Sequence, residues 1–295
     1  MCNEQTERDN DRHQTQRGQS QTGIGRREFN QSAAVLALAA MIPASATAAE
    51  VAEHHLLVPT PDGECDSYLV HPVSGVHPAV VMWPDVMGIR SAFRLMTKRL
   101  AGEGYTVLVV NPYYRTHHGE IIAAGEGYQD AAVRERIAPH RATLSASTAI
   151  TDGSACVEFL RDHEAVDSGR AMATCGYCMT GSYALRLAAA LPGQIAAGAS
   201  FHGGGLVTDE PDSPHRLLDD ISANLLIAIA DNDDQAEPDA KTLLSLASNA
   251  ADVDAEIEVY PGALHGWCVL DSRAYNEAMA ERAWGRLLAL LERSL

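Results

Sequence analysis

Lysine is almost missing from this 295-residue chain: Lys98 and Lys241 are the only two, so arginine supplies nearly all the positive charge. The formal net charge is −17, and no basic stripe or lysine-rich tail offsets it. Such a surface repels phosphate backbones and anionic headgroups, which argues against nucleic acid and acidic membranes as partners. It leaves the substrate open, because one buried arginine can dominate a pocket. The six cysteines (Cys2, Cys65, Cys156, Cys175, Cys178 and Cys268) are too sparse and scattered for a small disulfide scaffold. Most of them suit an interior, as small apolar residues. No internal repeat occurs, and neither a low-complexity segment nor a Pro/Gly/Ser linker follows residue 50. Hydrophobic residues make up 46% and charged ones 21%, the balance of a globular chain long enough to bury a sizeable core.

Residues 1–48 read as a segment apart. A polar stretch over 1–22 has little to pack, and Gly25-Arg26-Arg27-Glu28-Phe29 then leads into the apolar run 33–42. Pro43 and a small-residue stretch containing Ala46-Thr47-Ala48 complete the order basic region, apolar region, cleavage site, which is that of an export signal. The apolar run falls short of the ~20 residues needed to span a bilayer. Arg26-Arg27-x-Phe29 resembles a twin-arginine signal, although Asn30 and Gln31 depart from the usual residues after the phenylalanine. The expectation is recognition by the twin-arginine export machinery, cleavage after Ala48, a periplasmic product and no stable membrane insertion afterwards. The competing reading is a chance arginine pair before an apolar helix.

From residue 49 to 295 a single domain is expected. Apolar, β-rich runs at 54–58, 67–70, 79–83, 106–110, 171–175, 196–201, 225–230 and 256–260 predict strands. Several are continuously apolar, as strands covered on both faces are. Helices are predicted over 91–101, 144–161, 182–190, 238–250 and 273–291. In the last, Ala280, Trp284, Leu287, Leu288 and Leu291 line one face, which is ordinary core packing. Alternating strands and helices imply an α/β fold with a mostly parallel, doubly wound sheet. Ligands bind such sheets in the loops at the strand carboxyl ends.

One of those loops is Ala173-Thr174-Cys175-Gly176-Tyr177-Cys178-Met179-Thr180-Gly181-Ser182. Cys175 and Cys178 have the spacing of a redox dithiol or half a zinc site. Cys178 also lies between a strand and a helix, where a nucleophile elbow places its reactive residue. The elbow turn is sharp and wants small residues two places before and after. Gly176 provides one, Gly181 lies one place beyond, and the β-branched Thr180 is expected to crowd the turn. A helix N-terminus lowers a thiol pKa and suits a thiolate nucleophile. His265 follows the last strand, and Asp231, Asp233 and Asp234 follow the one before it. Cysteine, aspartate and histidine at successive strand ends follow the α/β-hydrolase order.

These residues carry a resemblance. From about residue 51 onward the chain is similar to the dienelactone hydrolase family, α/β-hydrolases with a Cys-Asp-His triad. The matching segments are Gly176-Tyr177-Cys178-Met179-Thr180-Gly181, His265-Gly266-Trp267, residues 230–233, Trp83-Pro84-Asp85-Val86-Met87-Gly88, and Tyr113-Tyr114-Arg115. The resemblance implies a cofactor-free hydrolase of small esters or lactones. Cys178 would attack, His265 would carry the proton and Asp233 would orient the imidazole. The backbone N–H groups of Met179 and Val86 would form the oxyanion hole. Asp85, where founding members carry glutamate, would help control the thiol proton. Arg115 would clamp a substrate carboxylate, with a surface ion pair as its other reading. Val269 stands where the family has a second clamp arginine, which points away from a dienelactone itself.

Other residues keep two readings. His202, in Phe201-His202-Gly203-Gly204-Gly205, and Trp267 are expected to line the substrate pocket, although His202 could instead cap its loop. His54-His55 and His117-His118 lack the companion spacing of a metal site, and no metal is expected. A thiol oxidoreductase using Cys175 and Cys178 is a rival function, and a non-catalytic binding protein on the same fold is another.

Overall fold

The computed structural model describes Leu38, Ala39, Met41 and residues 49–295. Apart from those first three residues, the expected signal segment lies outside the described residues. The chain builds one eight-stranded sheet in the order β1-β2-β4-β3-β5-β6-β7-β8. The strands are β1 (Val51–Thr60), β2 (Gly63–Pro72), β3 (Ala79–Trp83), β4 (Thr106–Val110), β5 (Met172–Tyr177), β6 (Ile195–Phe201), β7 (Asn224–Ala230) and β8 (Ala255–Tyr260). From β4 to β8 neighbouring strands run parallel, and β1–β2 is an antiparallel hairpin added at one edge. This is the α/β-hydrolase type of fold.

The helices are α1 (Ser91–Gly102), α2 (Ala131–Arg141), α3 (Ala146–Arg161), α4 (Gly181–Ala190), α5 (Asp231–Ala236), α6 (Ala240–Ala250) and α7 (Glu277–Ser294). Because side chains alternate across a strand, each inner strand feeds two cores. Val80 and Met82 of β3 face α1 and α7, while Ala79, Val81 and Trp83 face α3 and α4. The same alternation sends Leu226 and Ala228 of β7 to the first core and Leu225 and Ile227 to the second. Both faces are thereby covered, which is why these strands read as unbroken apolar runs. Of the predicted stripe on α7, Ala280, Trp284, Leu287 and Leu291 are buried, and Leu288 is half-buried against the same core.

All eight predicted strands are present. Two helices were not anticipated. In α2 only Val133 and Ile137 are buried, and Pro139 sits inside its last turns, so neither periodicity nor propensity announces it. The six-residue α5 directly follows β7 and carries the aspartate cluster. Elsewhere caps set the boundaries. Ser145 and Thr148 form a reciprocal capping box that starts α3, and Asn276 caps α7 by accepting from the Met279 N–H at 3.3 Å.

Candidate active site

Tyr177 ends β5 in extended conformation, and the next residue, Cys178, has φ +59. A non-glycine residue in the left-handed region costs about 1–3 kcal/mol and persists only where its surroundings dictate it. Here the chain turns straight into a short 3-10 turn over Cys178–Thr180 and then into α4. Gly176 makes that turn possible, because a Cβ there would drive into the Thr180 carbonyl. Cys178 emerges above the helix N-terminus, with the Met179 N–H among the first amides of the turn, which have no partner within the helix.

Thr180 does not crowd the elbow. Its Oγ1 accepts the Tyr177 N–H at 3.1 Å. Its single proton faces three carbonyl oxygens, those of Tyr177 (2.9 Å), Pro84 (2.9 Å) and Trp83 (3.1 Å). The hydroxyl therefore ties the turn to itself and to the loop after β3. The branch that was expected to obstruct is fully buried and seated.

His265 lies in the loop after β8. Its Nδ1 meets Asp233 Oδ2 at 2.7 Å, and its backbone N–H donates to Asn232 Oδ1 at 2.8 Å. Its remaining side-chain hydrogen bond is with Cys178. Geometry separates the three aspartates that the sequence left open. Asp231 accepts the Gly262 N–H at 2.8 Å, and Asp234 pairs with Lys241 at 2.6 Å, leaving Asp233 for the imidazole. Burial opposes charge on His265, but Asp233 and the Cys178 sulfur outweigh it and lift the pKa to about 10. An imidazolium beside a sulfur favours the thiolate.

The loop after β3 carries Asp85 and Val86. Asp85 Oδ1 accepts the Met87 N–H at 2.9 Å, and its carbonyl accepts the Gly88 N–H at 2.9 Å, so the loop is wound around this side chain. Arg90 forks onto both Asp85 oxygens at 2.7 and 2.9 Å. The same guanidinium reaches both oxygens of Asp271 at 2.8 Å, seizing the loop beyond His265. Burial pushes the Asp85 pKa up, and Arg90 pulls it back while Cys178 and Asp271 add to the rise. Tyr113 supports the same loop by donating its hydroxyl to the Val86 carbonyl at 2.7 Å. Arg90 and Asp271 were not singled out from sequence, and Tyr113 only as the first residue of the Tyr113-Tyr114-Arg115 segment, since nothing local marks an arginine that bridges loops 181 residues apart in number.

Around Cys178 stands an apolar wall of Val86, Met87, Tyr113, Ile121, Ile122, Val133 and Ile137, with Tyr128, Leu144 and Met179 packed on it. The unanticipated α2 supplies two of these residues. Arg141, the last residue of α2, contacts the Tyr128 hydroxyl at 3.4 Å and forms no ion pair among the described residues. It lies close enough to Tyr113 and Tyr183 to favour their charged forms against burial.

The sequence profile of the dienelactone hydrolase family matches residues 65–295. The chain belongs to that family. Among curated relatives, a Synechocystis protein provisionally named carboxymethylenebutenolidase is 27% identical over 252 residues, covering 81% of this chain and 95% of its own. A Bradyrhizobium protein provisionally named 2-oxo-3-(5-oxofuran-2-ylidene)propanoate lactonase is 27% identical over 230 residues, covering 76% and 88%. Among solved structures, a Klebsiella pneumoniae protein provisionally described as a dienelactone hydrolase superposes with TM-score 0.69 at 23% identity, covering 82% of this chain and 98% of that one. A dienelactone hydrolase-like promiscuous phosphotriesterase from metagenomic libraries gives 0.67 at 19% identity, covering 83% and 98%. At these identities the superpositions speak for the fold alone.

Against the dienelactone hydrolase pattern, several residues sit in unexpected company. Arg115 is filled by carboxylates of its own chain: Asp152 takes two bonds at 2.7 and 2.8 Å, and Asp62 takes two more at 2.6 and 3.0 Å. Its guanidinium also lies over the Tyr114 ring at 4.6 Å. The geometry is that of the ion pair rather than of an open clamp. Val269 is fully buried in the core shared with α1 and α7. Trp267 is fully buried too, stacked on Tyr260 at 5.0 Å and edge-on to His202 at 5.3 Å. It backs the site rather than lining an open pocket. His202 is brought to the triad, with its ring edge-on to His265 at 4.7 Å.

Cys175 points from mid-strand into the core with Tyr177, and burial lifts its thiol to about 12. A strand residue so placed cannot reach a partner disulfide, so the dithiol reading has nothing to support it. Among the described residues no cluster of three or more His, Cys, Asp or Glu is arranged to hold a metal ion.

Proposed function

We propose that the protein hydrolyses small esters or lactones through Cys178, His265 and Asp233. The observation that carries this reading is the strained elbow at Cys178 with the Asp233-bound imidazole hydrogen-bonded to its sulfur. The Cys178 thiolate adds to the substrate carbonyl carbon, and the C=O electron pair moves onto oxygen. That oxygen is met by the Met179 and Val86 N–H groups, a pair of donors of the kind worth about 3 kcal/mol each to the transition state. His265 gives its proton to the leaving alkoxide as the C–O bond breaks, leaving a thioester. Water then loses a proton to His265 and attacks, and the thiolate departs. The products are an acid and an alcohol, or a single hydroxy acid from a lactone.

The apolar wall suits a compact, largely hydrocarbon substrate, and Arg141 supplies the cation for an acidic group on it. The relatives' names, carboxymethylenebutenolidase and lactonase, fit that class. Arg26-Arg27-x-Phe29, the apolar run and Ala46-Thr47-Ala48 support export in folded form and a periplasmic location. The test is turnover of an aryl ester and lactone panel by wild type, Cys178→Ser and Cys175→Ala. Cys178→Ser is expected to be severely impaired and Cys175→Ala active; the reverse pattern would restore the dithiol reading. Cell fractionation with N-terminal sequencing of the mature protein tests export.

A further inference from the structure

The turn after β6 holds a histidine that the triad chemistry leaves idle. His202 has φ +41, and its backbone N–H is fixed on the Ala228 carbonyl at 2.8 Å. The side chain is 1% exposed, and neither Nδ1 nor Nε2 has a hydrogen-bond partner in the structure. A buried ring with two unmet polar atoms on strained backbone is a double cost that phenylalanine or leucine would avoid in part. Its plane is fixed by His265, Trp267 and Tyr177, at 4.7, 5.3 and 6.2 Å between ring centres. Against burial, which lowers the His202 pKa, the nearby Cys178 is the group that most favours the protonated ring.

The glycines after it explain how it arrives there. The Gly204 N–H donates to the Cys178 carbonyl at 3.1 Å. Gly203 passes so close to Gly181 and Ser200 that a Cβ on either glycine would strike the Ser200 hydroxyl. The loop is laid across the start of α4, and it brings His202 over the elbow. This accounts for a triple glycine that lies too late in the chain to serve as an oxyanion strip.

We propose that His202 is a second catalytic histidine, a neutral imidazole that donates one N–H to the Cys178 thiolate. The proposal rests on Cys178 being the nucleophile. With the sulfur held anionic by His202, His265 keeps its proton for the leaving group. Burial holds the His202 pKa low, so the ring brings a donor without a second positive charge. The charged and titratable groups facing the sulfur are otherwise His265 with Asp233 from the β8 and β7 loops, Asp85 with Arg90 from the β3 loop, and Tyr113 from the β4 loop. The positive and negative members nearly balance, which leaves room for a neutral donor to set the thiolate population.

The test is the pH dependence of Cys178 alkylation by iodoacetamide in wild type, His202→Phe, His202→Met and His202→Gln, each checked for folding by thermal melting. Loss of the donor in Phe or Met should move the alkylation midpoint up by about one pH unit, roughly tenfold slower labelling on the acid side. Gln, which retains an N–H, should recover at least half of that shift. A folded Phe or Met variant with the wild-type midpoint overturns the proposal, as does a Met midpoint equal to that of Gln. Failure of the nucleophile assignment shows separately, as hydrolysis that survives in Cys178→Ala.

Discussion

The Thr180 hydroxyl lies 2.9 Å from the Pro84 carbonyl oxygen, and this contact joins the turn at Cys178 to the loop that carries Val86. One side chain thus ties together the two segments that carry the proposed oxyanion donors, Met179 and Val86. Thr180→Val keeps the branch but leaves the buried Tyr177 N–H without its acceptor, at a cost of about 1–3 kcal/mol. The expected outcome is a less stable protein with kcat lowered about tenfold or more, since removing or misplacing one oxyanion donor typically costs that much or more. Thr180→Ser should retain both properties. Urea unfolding and aryl ester kinetics measure them, and a Val variant equal to wild type would contradict the stitching role.

Arg90 is 3% exposed and answers two carboxylates, so its loss strands buried charge. Arg90→Met should destabilise the protein by about 3–5 kcal/mol. Replacing the charge partner as well, in Asp85→Leu/Arg90→Met, should recover part of that stability while activity stays low, because the β3 loop loses the side chain around which it is wound. Equilibrium denaturation of the single and double variants reads the coupling. Additive losses would mean that the two residues do not act as a pair.

His265 has its proton affinity raised from 6.5 to about 10, against burial, by Asp233 and Cys178. For a raised pKa the associated stability is fully present below the unfolded value of about 6.5 and is lost as pH climbs through about 10. Acylation should follow the same alkaline limb, because the leaving group needs the imidazolium proton. Asp233→Asn removes the larger attraction, so the limb should move to lower pH, and the stability gap to wild type should close above pH about 10. A pH–rate profile and denaturation midpoints across that range check both statements. An alkaline limb that stays in place in Asp233→Asn would remove Asp233 from its role.

How far the site could be read beforehand depended on how local each signal was. Cys178, Asp233 and His265 each sit at a strand end with a distinctive neighbour, and the buried strand runs made the sheet legible. The α7 stripe was equally plain because its partners repeat at helical spacing. What escaped was set by contacts distant in sequence. Arg90 joins Asp85 to Asp271, and α2 is held by two apolar residues and a Pro139 that argues against a helix. The sign of the Thr180 effect was misjudged because its acceptors lie on another loop, and Arg115 found its carboxylates at positions 62 and 152. Among the three aspartates, only the placement of His265, Gly262 and Lys241 decided the matter.

Arg141 borders the apolar wall and is not spent on a carboxylate among the described residues. Arg141→Gln should raise KM for an acid-bearing ester or lactone by about tenfold or more, the worth of a hydrogen bond to a charged group. For a neutral aryl ester kcat/KM should stay within about twofold, since a uniform binding contact affects only the substrate that makes it. Parallel kinetics on a matched acidic and neutral pair supply the comparison, and an equal effect on both would assign Arg141 to folding instead.

Acylation should fall on Cys178. Rapid acid quench after mixing with an activated ester, followed by intact mass and peptide mapping, should show a single acyl group on Cys178. The adduct should form in wild type and be absent in Cys178→Ala together with hydrolysis. In His265→Gln it should form only at raised pH, where thiolate is present and the activated leaving group departs unprotonated, and then persist for want of a base to deacylate it. An adduct on another residue, or undiminished hydrolysis by Cys178→Ala, would rule out Cys178 as the nucleophile.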